Sequence, residues 1–270
     1  MSDRFEIRVS PLRVALFLAT LAGLLLIAHL AAEGVRTTIG EDLPDRATGM
    51  WNLDEENNVP TWFASMLLAL VGFGLVLVGL MKYQERDRYW WQWFAIALIP
   101  FFLSLDDMSQ LHEALSSPLS EEYGFGGLLH WAWVVVALPA VGVLTILFLP
   151  FLRHLPARTL ILLLAGAGMV FGGGVILEMF EGWWVDANGS GGVIIFSMVT
   201  VQEVLELLGS IIALYAVIDY AAGYRPDLVF RLERDELPFA SVPQRSESAE
   251  TTPAPEPAER LAPAEDLYQS

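Results

Sequence analysis

Residues 193–220 read VIIFSMVTVQEVLELLGSIIALYAVIDY, a run of apolar residues interrupted in its first half by Glu203 and Glu206. A hydrocarbon layer of about 30 Å takes roughly 20 apolar residues of helix to cross, and this stretch exceeds that length. The two glutamates are three residues apart, so on a helix they share one side. An ionisable group inside a membrane helix costs a few kcal/mol or more, so it normally faces protein or water and often marks function. This one segment therefore predicts both a transmembrane helix and a site.

Similar runs recur at about 14–32, 62–81, 91–111, 128–149 and 160–179. The expectation is an all-α, polytopic membrane protein, a bundle of six transmembrane helices. Composition agrees, since 54% of the 270 residues are hydrophobic and only 17% charged, more apolar surface than one soluble core of this length needs. Three regions follow: an N-terminal segment 1–13, a transmembrane domain 14–224, and a tail 225–270. The tail is rich in Pro, Glu, Ser and Ala, includes Thr251-Thr252-Pro253-Ala254-Pro255-Glu256-Pro257, and reads as disordered. The first span is expected to be an uncleaved anchor. Its apolar run is longer than a signal h-region, and Ala28-His29-Leu30-Ala31-Ala32-Glu33 offers no clean small-x-small cleavage site.

Loop charges orient the bundle, because cytoplasmic loops are rich in Lys and Arg. The N-terminus carries Arg4, Arg8 and Arg13; Lys82, Arg86 and Arg88 follow the second span; Arg153 and Arg158 follow the fourth; Arg225, Arg231 and Arg234 follow the sixth. The intervening loops, Ser116 to Gly127 and Gly182 to Gly192, have neither residue type, and Glu41, Asp42, Asp45, Asp54, Glu55 and Glu56 dominate the first loop. Both termini are thus placed in the cytoplasm and the chain in the cell membrane. Trp51, Trp62, Trp90, Trp91, Trp131, Trp183 and Trp184 fall near span ends, where an amphipathic ring sits well. Glycines within the spans, Gly72, Gly74, Gly166, Gly168 and Gly172-Gly173-Gly174, permit close helix packing, and Pro100 and Pro139 bend their helices.

The net charge of −17 excludes nucleic acid as a partner and favours cations, and the absence of cysteine excludes thiolate metal sites and cysteine nucleophiles. Against that background the third span ends Ser104-Leu105-Asp106-Asp107-Met108-Ser109-Gln110-Leu111-His112-Glu113. On a continuous helix Asp106 and Glu113, seven apart, share a face, His112 flanks it, and Asp107 points away. Glu178 and Glu181 at the end of the fifth span repeat the three-residue spacing of Glu203 and Glu206. The topology places all of these in the outer half of the bundle, with Arg36 and Arg46 the only nearby cations. Like charges in low dielectric need compensation, by metal, shared protons, a basic partner or water.

A divalent metal, Zn, Fe or Mn, is the leading expectation, since oxygen-rich sites with one or two imidazoles suit these ions. Asp106, His112, Glu113, Glu178, Glu203 and Glu206 are the candidate ligands, with His112 and Glu113 as candidate catalytic groups. The inward carboxylates resemble those of di-iron bundles only in part, because no Glu-x-x-His motif is present. Glu33, Glu181 and Asp186 read rather as solvated helix-end residues, and His29 and His130 as interfacial hydrogen-bonding residues. A metal-dependent membrane enzyme, hydrolase or oxidoreductase, acting on a small molecule or lipid, is the first functional expectation. A cation or proton-coupled transporter or channel is the second, and an accessory or sensor subunit meeting a membrane protein partner the third. Transport needs a polar path to the cytoplasm, and the inner half of the sixth span, Leu207-Leu208-Gly209-Ser210-Ile211-Ile212-Ala213-Leu214, offers almost none.

Overall fold

The structure is a computed structural model that describes residues 9–39 and 48–225; the expectations for the extreme N-terminus, for Arg46 and for the tail lie outside those residues. All described residues belong to one compact unit. Among them there are helices and no strands.

Helix α1 spans Pro11–Ile39. Helix α2 spans Val59–Gln84 and starts sharply: the Asn58 side chain accepts the Thr61 N–H at 3.1 Å, and Pro60 sits in the first turn. Helix α3, Trp90–Ser109, ends at Gln110, whose left-handed backbone (φ 54°, ψ 39°) stops one helix and starts the next, α4, Leu111–Tyr123. The two meet at a bend of 72°. After a 3-10 turn at Gly127–Leu129 come α5, Val134–Leu152, and α6, Ala157–Asn188, which contains a π-helical stretch at Gly172–Leu177. Helix α7, Val193–Tyr224, closes the bundle.

Helices α1, α2, α5, α6 and α7 are each long and apolar enough to cross a membrane, and α3 with α4 makes a sixth candidate if the bent pair is one span. Their outward surfaces are apolar, as at Phe17, Leu98, Ile146 and Leu147, which is how lipid-facing helices look and is a poor surface for water. The helical segments differ from the hydropathy reading in one region. The stretch expected as a loop at 116–127 is mostly the helix α4, the following span begins at Val134 rather than residue 128, and α6 runs on to Asn188. Leu111 to Tyr123 is a helix with too many Ser and Glu residues to register as apolar.

Helix α2 packs on α3 and α7, α6 packs on α7, and α1 leans on α7. Leu67, Val78, Trp93, Phe151 and Val217 are almost fully enclosed in the resulting core. Helices α2 and α3 are also latched by reciprocal hydrogen bonds: Ser65 Oγ donates to the Ser104 carbonyl at 2.6 Å and Ser104 Oγ to that of Ser65 at 2.8 Å. At the α6–α7 crossing a Cβ on Gly166 would lie 2.7 Å from the Gly209 carbonyl oxygen, and one on Gly209 equally close to that of Gly166. Only glycine fits on either side. These contacts fix the depth at which the carboxylates of α3, α6 and α7 meet.

Candidate functional site

The break at Gln110 builds the first half of the site. Because α4 turns away from α3, the straight-helix alignment of Asp106 with Glu113 does not hold; Asp106 instead reaches across the bend to His112. Its Oδ1 accepts the His112 backbone N–H at 2.9 Å, capping the first turn of α4, and its Oδ2 lies 3.0 Å from His112 Nδ1. One carboxylate therefore holds both the helix start and the imidazole. With Nδ1 engaged, Nε2 is the free nitrogen, and it lies 3.9 Å from Glu56 Oε1. One ligand-capable atom from each of Glu56, His112 and Glu113 falls within 4.8 Å of the others.

Glu56 arrives from the loop before α2. That loop is pinned by Asn58, whose side-chain amide donates to the carbonyls of Gly49 (3.0 Å) and Asn52 (2.6 Å), and by Thr61 Oγ1, which donates to the Glu55 carbonyl at 3.1 Å. Burial pushes the Glu56 carboxyl above its usual range, against the pull of His112. Its Oε2 is buried without a hydrogen-bond partner, and so is Asp107 Oδ2. Two orphaned carboxylate oxygens beside one cluster are unusual, since buried polar atoms are normally paired.

The second half comes from α6 and α7. Glu178 Oε1 accepts the Trp133 indole N–H at 2.9 Å, and the Trp133 ring lies 5.4 Å from that of His112. Glu178 is within electrostatic reach of His112, Glu113 and Asp106. Glu206 is within reach of Glu178, Asp107 and His112, and Glu203 of Glu206, Asp107 and Glu181. Of the six residues singled out as ligands, Asp106, His112, Glu113 and Glu178 thus lie near the bend, Glu206 joins them through Glu178 and His112, and Glu203 reaches them only through Glu206 and Asp107; only His112 and Glu113 fall within the 4.8 Å group.

The π-helical stretch makes room there. A Cβ on Gly174 would sit 3.1 Å from both carboxylate oxygens of Glu206, and one on Gly173 would sit 2.9 Å from the Gln202 carbonyl oxygen. π-Helical turns inside α-helices are frequent at functional sites, and this one lies directly against a buried carboxylate.

Four residues of the neighbourhood escaped the sequence reading as site members. Glu56 lies among other acids in a loop, with no period to distinguish it. Asp107 was projected away from the face by assuming a straight helix. Trp133 was not among the tryptophans assigned to span ends, and its indole is bound to a carboxylate. Glu181, read as solvated, is only 5% exposed, and the Gln202 amide donates to both its oxygens, at 2.8 and 2.9 Å, once the Gln202 side-chain O and N are exchanged to face donors and acceptors correctly.

The other histidines stand apart. His29, 2% exposed, accepts the Leu53 N–H at Nδ1 (3.1 Å) and meets Thr200 Oγ1 at Nε2 (3.1 Å) while stacking on Phe196. Thr200 already donates its hydroxyl to the Phe196 carbonyl, so Nε2 is the donor in that pair and neither ring nitrogen is left for a metal. His130 and the half-exposed Asp186 face each other at 3.6 Å on the rim.

A helical bundle with apolar outer faces and a carboxylate–imidazole cluster towards one end defines a class of membrane-type helical proteins with a polar interior site. The chain matches the family described as Domain of unknown function (DUF8692) over residues 15–221, and it belongs to that family. No curated protein and no solved structure matches it.

Proposed function

We propose that this protein is a metal-dependent enzyme of the cell membrane, crossing it six times with both termini in the cytoplasm and its site towards the outer side. The observation that carries the proposal is the convergence of Glu56, His112 and Glu113 within 4.8 Å, with His112 Nδ1 held by Asp106. A carboxylate on one imidazole nitrogen fixes the tautomer and leaves the other as ligand, a pairing that recurs around protein-bound metals. Glu56, His112 and Glu113 would hold the ion and Asp106 would orient the imidazole. Two carboxylates and an imidazole suit Zn, Fe or Mn.

When bound, such an ion supplies a Lewis acid and an activated water. The chain's own residues supply the rest. Glu178, Glu203 and Glu206 form an inner bank of carboxylates able to hold and pass protons, and Trp133 anchors Glu178. Among the described residues no Lys or Arg forms an ion pair with any member of the cluster; the pairs are Arg36 with Glu33, Lys82 with Asp87, Arg158 with Asp219 and Arg225 with Glu85. A cation from outside the chain is the natural counter-charge. Transport is disfavoured by the layer below, where Leu67, Val71, Leu75, Leu207, Ile211 and Leu214 pack together in an apolar core.

Elemental analysis of detergent-purified protein tests the proposal. We expect about one Zn, Fe or Mn per wild-type chain, reduced at least about tenfold in Glu56→Gln and His112→Ala at unchanged helix content. A natively helical wild-type protein without bound metal, even after incubation with each of the three ions, would sink it. If the metal is present, flux in proteoliposomes separates an enzyme, which conducts nothing, from a transporter.

A further inference from the structure

At the opposite end of the bundle a second polar site lies in a cavity of about 220 Å³. It is lined by Lys82, Asp87, Tyr89, Trp93, His154 and Tyr220, with Phe151, Leu155, Pro156 and Tyr224 completing the wall. Along α7, Glu203 and Tyr220 are 17 residues apart, about 26 Å of helix, so this cavity is separate from the carboxylate cluster.

Lys82 is its centre. The residue is only 7% exposed, its Nζ lies 3.3 Å from Asp87 Oδ2, and it sits 3.6 Å from the centroid of the Tyr224 ring. An ammonium has three protons and no acceptor, so one carboxylate and one aromatic face leave donor capacity. The His154 ring and the Tyr220 hydroxyl have no hydrogen-bond partner among the described residues; His154 tilts against Tyr89, with centroids 4.8 Å apart, and lies within electrostatic reach of Asp87. In the chain segments that carry these lining residues Arg86, Arg88 and Arg153 form no ion pair among the described residues, and Arg88 lies over the ring of Tyr89, a lining residue. Donors and positive charge therefore exceed what Asp87 consumes, and the walls are aromatic and apolar.

We propose that this cavity binds the phosphate of an anionic phospholipid headgroup, with Lys82, His154 and the Tyr220 hydroxyl as donors and Asp87 as the internal anion that holds Lys82 in place until a lipid arrives. The cavity lies where the spans end, which is the depth of headgroup phosphates, and on the Lys- and Arg-rich side, which faces the more anionic leaflet. The proposal rests on the membrane reading above and not on the metal site, so metal content and lipid binding fail independently.

The test is native mass spectrometry of protein released from micelles that contain phosphatidylglycerol and phosphatidylcholine in equal amounts. Wild-type protein should retain phosphatidylglycerol over phosphatidylcholine by about fivefold. Lys82→Met and His154→Ala should each lower that preference, whereas Asp87→Asn should raise it by removing the competing anion. The opposite signs matter: Lys82→Met and Asp87→Asn both break the same ion pair, so mere structural damage would move them the same way. Equal retention of the two lipids by the wild type, or parallel losses in Lys82→Met and Asp87→Asn, would overturn the proposal. Displacement of the lipid by millimolar inorganic phosphate would overturn the lipid as the source of the phosphate.

Discussion

At the scale of single residues, two aspartates show how position sets the work of a carboxylate. Asp106 divides its oxygens between a backbone N–H and an imidazole, so it shapes the site and orients His112 at once. Asp87, outside the helices, accepts the Tyr89 N–H at 2.8 Å and pairs with Lys82. Burial raises its proton affinity, but the Tyr89 N–H, the Lys82 ammonium and, least, the nearby His154 together outweigh burial and hold the carboxyl below its ordinary value of 3.8. A depressed acid binds fewer protons folded than unfolded, so its stabilisation is complete above about pH 3.8 and is lost as pH falls through the lowered native value. Thermal unfolding in detergent should show wild type more stable than Asp87→Asn at pH 5 to 7, with the margin shrinking below about pH 3.8. A margin that persists undiminished at pH 2.5 would mean that the ionised Asp87 is not its source.

At the scale of elements, the existence of α1, α2, α5, α6 and α7 was legible in the sequence because each contains a long apolar run, although the ends of α1, α5 and α6 differ from the run by several residues. What was not legible are the two places where a helix departs from the ideal. Gln110 adopts a left-handed conformation that nothing in Ser109-Gln110-Leu111 announces, since glycine or asparagine is the usual signal. That single residue decides that Asp106 meets His112 and that α4 is a separate helix. Of the glycines expected to permit packing, Gly173 and Gly174 do so against Gln202 and Glu206, whereas Gly168 and Gly172 have open space at their Cβ positions; the run Gly172-Gly173-Gly174 instead opens the π-helical turn facing Glu206. Convergence of the carboxylates depends on these crossings, which hydropathy does not encode. The π-helical turn yields a sharp expectation. A Cβ at Gly173 would lie 2.9 Å from the Gln202 backbone oxygen, which cannot rotate away, so Gly173→Ala should cost about 1 to 3 kcal/mol by overpacking and drive α6 from α7. Gly168, with open space at its Cβ position, is the control, and Gly168→Ala should leave the unfolding temperature unchanged or slightly raised. Equal effects of the two substitutions would show that α6 and α7 do not cross at Gly173.

At the scale of the whole molecule, charge is sorted to the two ends of the bundle. Lys82, Arg158 and Arg225 pair with Asp87, Asp219 and Glu85 around the Tyr220–Tyr224 end of α7, while Glu56, Asp106, Glu113, Glu178, Glu203 and Glu206 gather around its first half. A membrane-spanning chain sorted in this way inserts with its basic end in the cytoplasm. The sequence contains no cysteine, so single cysteines report each end without background. Ser190, between α6 and α7, and Gln84, at the end of α2, are both exposed and mark the acidic and basic ends respectively. In intact cells a membrane-impermeant maleimide should label Ser190→Cys directly and Gln84→Cys only after permeabilisation. The reverse pattern would place the carboxylate cluster towards the cytoplasm and give its substrate a cytoplasmic source. Labelling of both positions in intact cells would remove the premise that the bundle spans the membrane between them, whereas the expected pattern puts Glu56, His112 and Glu113 towards the outer aqueous side.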